Sequence, residues 1–307
     1  MYIIDTCPCC LSKESTARWA VIAPFLAHYA VGKPPFLCRL LECSVCSFRF
    51  FDSRLEPDEV VRLYSGYRGE RYFAVRHHWE FWYSRKVNDG IGGDQQEIAD
   101  RVAAIERLIS PHRINESVRT VLDYGGDRGQ LIPRSLGGQK FVFELSDAVP
   151  EPGIARIASE QDMNSMRFDF IMALGVLEHL SDPATVLDQL RSCLNPGGFL
   201  CIGVPYERYG LGFAGKGKLY RAWLNALLHV PPALVAADFY STAARVRLDQ
   251  IPPLGFVKCH EHLNFFNKES MSSLLTRAGF EVVDTNVEAV AKYPARIDTL
   301  HVLARRS

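Results

Sequence analysis

Thr120-Val121-Leu122-Asp123-Tyr124-Gly125-Gly126-Asp127-Arg128-Gly129 decides how the rest of this chain is read. It is an apolar run closed by an aspartate and followed at once by glycines. A strand buried on both faces of a parallel sheet reads as such a run, and ligands bind these sheets outside the carboxyl ends of the strands. Glycines placed there let the backbone turn sharply and approach a ligand, because no Cβ stands in the way. Glu144 follows Asp123 by 21 residues and closes a second apolar run, Phe141-Val142-Phe143. A carboxylate at that place accepts hydrogen bonds from both hydroxyls of a ribose. Turn and acid together point to an adenosine-bearing cofactor. The glycines at 125, 126 and 129 do not make the G-x-G-x-x-G of a dinucleotide site, and no G-x-x-x-x-G-K-[ST] occurs in the chain.

From residue 119 onward, strands alternate with helices, the pattern of a parallel α/β sheet. The spacing predicts a helix near 128–135, a strand at 140–145, a weaker strand near 154–158 and a strong one at 168–174. Asp182 caps a helix whose first turn holds Pro183 and which stops at Asn195-Pro196-Gly197-Gly198, before a strand from Phe199 to Val204. Asn267 caps a helix bearing Met271, Leu274, Leu275 and Ala278 on one face, with the last two strands at 280–283 and 299–303.

These pieces resemble the class I S-adenosylmethionine-dependent methyltransferases, whose loop is D-x-G-x-G-x-G. Asp123, Gly125 and Gly129 match that loop, with Gly126 beside them. Phe168-Asp169, Val176-Leu177-Glu178-His179-Leu180 and Leu194-Asn195-Pro196-Gly197-Gly198 follow in the family's order. The resemblance covers about 116–307. It implies a Rossmann-like, doubly wound, mostly parallel seven-stranded sheet whose last strand is antiparallel. It also implies S-adenosyl-L-methionine as cofactor, with Ala173 and Leu174 along the adenosine and Asp162 as the acid near adenine. Asp127 stands where the family has its central glycine. Its carboxylate either faces the cofactor's ammonium or crowds the pocket.

Cys7-Pro8-Cys9-Cys10 and Cys43-Ser44-Val45-Cys46 are two C-x-x-C pairs on separate turns. Such pairs hold zinc tetrahedrally, and four thiolates with no open position mark a structural ion. Cys7, Cys10, Cys43 and Cys46 form the natural set, with Cys9 and Cys38 as substitutes. The expected domains are a zinc-binding domain at 1–55, a helical connecting segment at 56–115 and a cofactor-binding domain at 116–307. Within the connecting segment, Tyr67, Arg71 and Tyr72 sit in a dense mix of aromatic and ionisable residues. That mix reads either as an interdomain packing surface or as one wall of a substrate pocket.

An N-terminal zinc module narrows the resemblance to sugar C-methyltransferases and related small-metabolite enzymes. In those, a Glu-His pair in the segment corresponding to Cys259-His260-Glu261-His262-Leu263-Asn264-Phe265-Phe266 supplies the general base. This implies His262 as base, with Glu261 or His260 orienting it. H-E-H is not H-E-x-x-H, which excludes a zincin site.

Residues 206–258 interrupt the sheet pattern with a glycine-rich start and an apolar helical stretch broken at Pro231-Pro232. They read as a lid or substrate wall. Trp223, Leu224, Leu227 and Leu228 beside Lys216, Lys218 and Arg221 read equally as a homodimer or membrane-surface element.

The whole chain has 307 residues, with 35 Lys+Arg balancing 35 Asp+Glu. No basic field argues for nucleic acid. There is no run of apolar residues long enough to span a membrane, and the first residues do not form a signal peptide. Nine cysteines without an export signal suggest reduced thiols or a metal, hence a cytoplasmic location. The expected function is methyl transfer to a small molecule, a sugar or nucleotide-sugar carbon or hydroxyl. The rival expectations are an O- or N-methyltransferase of another metabolite and a weak or inactive binding scaffold.

Overall fold

The structure, a computed structural model, describes residues 1–207, 210–212, 214–292 and 295–307, without the side chains of 291, 292, 295 and 296. Its strands open with β1 (Tyr2–Ile3), β2 (Ser15–Ile22), β3 (Leu37–Cys43), β4 (Arg49–Phe51) and β5 (Ser53–Arg54). They continue with β6 (Thr120–Tyr124), β7 (Gln139–Phe143), β8 (Ile154–Arg156), β9 (Phe168–Leu174) and β10 (Leu194–Pro205). β11 (Lys258–Cys259), β12 (Asn264–Phe265), β13 (Phe280–Lys292) and β14 (Ala295–Arg306) complete the set. The chain divides into two compact units. One holds residues 1–7, 11–89 and 207–265, and the other holds 8–10, 90–206 and 266–307.

The second unit is built on a seven-stranded sheet in the order β13-β14-β10-β9-β6-β7-β8. β10, β9, β6, β7 and β8 are parallel neighbours, and β14 alone runs against the strands on either side. This is the expected mostly parallel, doubly wound α/β sheet. Chain order leaves β6 to one side through β7 and β8, then returns to its other side at β9. That reversal opens the crevice in which such sheets bind ligands.

Local sequence explains the frame. β9 buries six of its seven residues, as a strand covered on both faces must. The helix Gln95–Ile109 begins where the Asp94 side chain accepts from Gln96 N and Glu97 N at 2.9 and 3.0 Å. It packs Ile105, Leu108 and Ile109 into the core formed with Val121, Phe170, Met172 and Leu303. Asp182 caps the helix Pro183–Cys193 in the same way, and Asn267 caps Lys268–Arg277. Asp169 accepts from Arg119 N and Thr120 N at 2.9 and 3.1 Å and from the Asn195 amide at 2.7 Å. It thus clamps the starts of β6 and β10 to β9. Burial opposes its charge, yet the Asn195 and backbone donors hold its carboxyl below the usual carboxylate range.

The helix expected near 128–135 is absent. In its place are successive four-residue turns, with Ile132 N bonded to Gly129 O and Leu136 N to Pro133 O. Pro133 has no N–H to donate, and Gly137-Gly138 end the segment before a helix could grow.

The first unit holds a five-stranded sheet in the order β11-β2-β3-β4-β12, beside the small β1–β5 pair. Residues 258–265 thus supply both edges of a sheet whose middle is N-terminal. The helices Lys218–Leu228 and Pro231–Leu248 direct Leu224, Leu227 and Leu234 into a core with Val21 and Phe256, and Trp223 packs at its margin. Among the described residues no helix is long and apolar enough to cross a membrane.

Candidate functional site

β6 delivers Asp123 to its carboxyl end and buries it completely. Neither of its carboxylate oxygens has a hydrogen-bond partner among the described residues. Burial first, then the nearby charges of Glu144 and Asp127, push its pKa up to about 8. The turn closes tightly over this acid, since a Cβ on Gly126 would lie 2.1 Å from Asp123 Cγ. Only glycine allows that approach. Gly125 N donates to Phe143 O at 2.8 Å, tying the turn to the end of β7. There Glu144 accepts from Asp127 N through Oε2 at 3.0 Å and from Ser146 N through Oε1 at 2.9 Å. A buried acid lacking a partner, a cradle that a Cβ would fill and a backbone-held carboxylate fit a ligand with a cationic group and ribose hydroxyls.

Ala173 and Leu174 end β9, which pairs with β6 so that Met172 faces Asp123. A Cβ on Gly125 would meet Val176 Cγ2 at 2.7 Å, so the segment after β9 borders the turn. Gly129 closes the turn by donating its N–H to Gly126 O at 2.8 Å. Asp162 lies on the short helix Glu160–Ser165, exposed, where its Oδ2 accepts from Ser159 Oγ at 2.7 Å. That carboxylate is engaged in its own helix cap.

The two cysteine knuckles repeat each other. Leu11 N donates to Cys7 O at 2.9 Å and Ser47 N to Cys43 O at 3.0 Å. Leu11 and Ser47 both adopt left-handed backbone, with φ of 61° and 54°. Cys7 and Cys46 sulfurs are 3.6 Å apart, and the sulfurs of Cys7, Cys10, Cys43 and Cys46 lie within 4.8 Å of one another. Tetrahedral zinc with Zn–S bonds of about 2.3 Å calls for sulfurs about 3.8 Å apart, so the donor set fits. Cys38 is buried beside Cys259, and its thiol is pushed well up by burial and by that neighbour.

In the H-E-H segment the three residues go separate ways. Glu261 accepts from Tyr72 OH at 2.5 Å and pairs with Arg76 at 3.4 Å. Arg76 also pairs with Glu80 at 3.0 Å, and Lys258 joins Glu80 and Asp238 at 2.6 and 3.0 Å. His260 stacks on Phe25 at 5.2 Å and lies 3.2 Å from Glu80. Burial acts against the Glu80 charge, but Lys258 and His260 hold its carboxyl well below its ordinary range. Burial pulls the His260 pKa down against the pull of Glu80. This buried ionic network binds the helix Glu70–Trp79 to residues 258–261 and engages both His260 and Glu261. Tyr67 packs edge-on to Tyr72 at 5.2 Å, with Arg68 4.6 Å above its ring. Burial and then Glu261 push its pKa up to about 12, which makes it a hydrogen-bond donor rather than a base at neutral pH.

His262 is half-buried, with Nδ1 3.0 Å from Glu207 Oε1, and Glu207 Oε2 is 3.6 Å from Arg245. A carboxylate at Nδ1 favours the tautomer that donates from Nδ1 and leaves Nε2 as the acceptor. Glu207 was not among the sequence candidates. Its signal was there, since it follows the carboxyl end of β10 as Glu144 follows β7.

A sequence-family model described as a methyltransferase domain matches residues 94–285. A tRNA U34 carboxymethyltransferase from Shewanella loihica is 29% identical over 180 residues, covering 47% of this chain and 54% of that protein. The chain thus spans about half the length of the curated relative it matches. Among solved structures, a Burkholderia thailandensis 1,6-didemethyltoxoflavin-N1-methyltransferase, with bound 1,6-didemethyltoxoflavin and S-adenosylhomocysteine, is 18% identical with a TM-score of 0.43. That match covers 72% of this chain and 84% of that one. Magnesium protoporphyrin IX methyltransferase from Synechocystis PCC 6803 with bound S-adenosylhomocysteine is 13% identical with a TM-score of 0.40, covering 73% and 86% of the two chains.

Proposed function

This chain belongs to the methyltransferase domain family, and we propose that it is a class I S-adenosylmethionine-dependent methyltransferase acting on a small-molecule acceptor. The acceptor atom is a carbon or hydroxyl of a sugar or nucleotide sugar, and His262 removes its proton. The observation that carries the base assignment is the 3.0 Å contact between His262 Nδ1 and Glu207. It gives the imidazole the orienting partner that general bases need.

S-adenosyl-L-methionine, when bound, supplies a methyl group on a sulfonium, a leaving group that needs no protonation. The chain's own residues then have three tasks. Glu144 receives the ribose hydroxyls, and Asp123 with Gly125, Gly126 and Gly129 lines the turn that receives the rest of the cofactor. Ala173 and Leu174 provide apolar surface for the base, and Asp162 remains the candidate for its exocyclic amine. His262 takes the acceptor proton and Glu207 steadies the resulting charge, with Tyr67 as a hydrogen-bond donor to the acceptor. Cys7, Cys10, Cys43 and Cys46 hold a structural Zn2+. Residues 1–55, 56–115 and 116–307 remain the proposed functional division, and 206–258 the candidate acceptor wall or self-association element.

The relative's tRNA acceptor suggests a rival reading, against which the balance of 35 basic and 35 acidic residues speaks. Both are tested by incubating the chain with methyl-labelled S-adenosylmethionine and either a panel of nucleotide sugars or bulk tRNA. Label should enter the sugar fraction, and His262→Ala and Glu207→Gln should lower the rate by about 100-fold and about 10-fold. S-adenosylhomocysteine affinity should stay within about twofold in both variants. Label in tRNA, or an undiminished rate in His262→Ala, would defeat the proposal.

A further inference from the structure

Asp127 replaces the central glycine of the loop, and the structure shows where its side chain goes. The residue adopts left-handed backbone, φ 54°, a conformation that Asp tolerates better than most residues. Its N–H donates to Glu144 at 3.0 Å, while its carboxylate Oδ2 accepts from Gln130 Nε2 at 3.1 Å. The same Gln130 nitrogen reaches Gly92 O at 3.3 Å, and Arg128 Nη2 reaches that carbonyl at 3.4 Å. Gln130 Oε1 in turn accepts from Arg128 N at 3.0 Å. Arg128 is braced on the far side by Glu151 at 3.2 Å, with Asp127 4.0 Å from its Nε.

We propose that Asp127 is a positioning residue, a clasp that joins the cofactor turn to the Gly92 segment and thereby presets Glu144. Asp127 orients the Gln130 amide. Gln130 and Arg128 together hold the carbonyl that precedes the Asp94-capped helix. Ordering the turn and residues 90–93 in advance lowers the entropy lost when a ligand settles there. The departure from the family loop therefore puts side-chain bonding in place of glycine's freedom, on left-handed backbone that Asp tolerates. The binding part of this inference rests on the reading that the turn receives the cofactor, whereas the clasp itself does not.

The test uses the full chain, with S-adenosylhomocysteine as the calorimetric probe and backbone hydrogen exchange of the unliganded protein as a second readout. Asp127→Gly removes the carboxylate but suits the backbone, Gln130→Met removes the bridge without touching residue 127, and Asp127→Asn keeps an acceptor for Gln130. Asp127→Gly and Gln130→Met should each weaken binding about five- to tenfold, and Asp127→Asn less than about twofold. Exchange at residues 90–94 should accelerate at least about fivefold in the first two variants and stay close to wild type in the third. Equal or tighter binding by Asp127→Gly, with unchanged exchange at 90–94, would overturn the proposal and make Asp127 a plug or a bystander. If wild type binds no probe, the cofactor reading falls, and the exchange measurement alone still decides the clasp.

Discussion

Replacing Asp123 by Asn should make the unliganded protein more stable at pH 8 than wild type, with no such gain at pH 5. The unfolded chain releases this proton near the ordinary value of 3.8, whereas the folded chain keeps it up to about 8. Between those values the folded state binds more protons, so raising the pH disfavours folding. Each unit is worth about 1.4 kcal/mol, which sets a ceiling of roughly 5–6 kcal/mol over the window. Water entry and relaxation around a charged Asp123 reduce this to on the order of 3 kcal/mol, or about 5–10 °C in Tm for a unit of this size. His301 contributes with the opposite sign. Burial and then Arg101 pull its pKa down to about 4, so stability is lost as pH falls from 6.5 towards that value. Subtracting wild type from Asp123→Asn at each pH removes this background. The two amide donors that Asn buries add a cost that stays in the difference as a constant offset and leaves its slope with pH unchanged. The assay is thermal unfolding from pH 5 to 8 without ligand, following the transition of the unit that carries the seven-stranded sheet. The difference in Tm should climb steadily across the range. A difference that stays flat would mean that Asp123 is ionised in the folded chain and hydrated or paired.

Gly126→Ala should abolish detectable binding of S-adenosylhomocysteine and lower Tm, because the new methyl would stand 2.1 Å from Asp123 Cγ. The overpacking cost is about 1–3 kcal/mol or more, read by calorimetry and thermal melts. Cys43→Ser should lose bound zinc, measured by elemental analysis of protein prepared without chelator. About one equivalent in wild type and none in the variant is expected, with the 1–55 region becoming protease-sensitive. Glu261→Gln should destabilise by about 1–3 kcal/mol, since Arg76 would lose a buried counter-charge and one of the two oxygens that serve Tyr72 and Arg76 would become a donor. S-adenosylhomocysteine affinity should stay within about twofold of wild type, as expected of a residue that serves packing.

Much of the cofactor-binding frame could be read directly. The run ending at Asp123, the acid at 144, the buried strand at 168–174 and the caps at Asp182 and Asn267 are local signals whose causes lie within a few residues. The helix at 128–135 is expected from the alternation of strands and helices, while Pro133 and Gly137-Gly138 leave too few residues for one to nucleate. What lay out of reach depends on long-range pairing. β11 and β12 are two residues each, too short to show a period, and their partners β2 and β4 precede them by more than 200 residues. The same holds for His262, whose partner Glu207 lies 55 residues away. The ionic network around Glu80, Arg76 and Lys258 was invisible for a related reason. A charged residue in sequence looks solvated until the chain that neutralises it is known.

Calorimetric titration of wild type and Glu144→Ala with S-adenosylhomocysteine tests the central claim most directly, that the crevice at the ends of β6 and β7 receives an adenosyl cofactor by its ribose. Wild type should bind one equivalent with Kd on the order of 1–100 µM, and Glu144→Ala should bind about 10- to 100-fold more weakly through loss of two charge-assisted hydrogen bonds. No heat from wild type, or equal affinity in the two proteins, would contradict it.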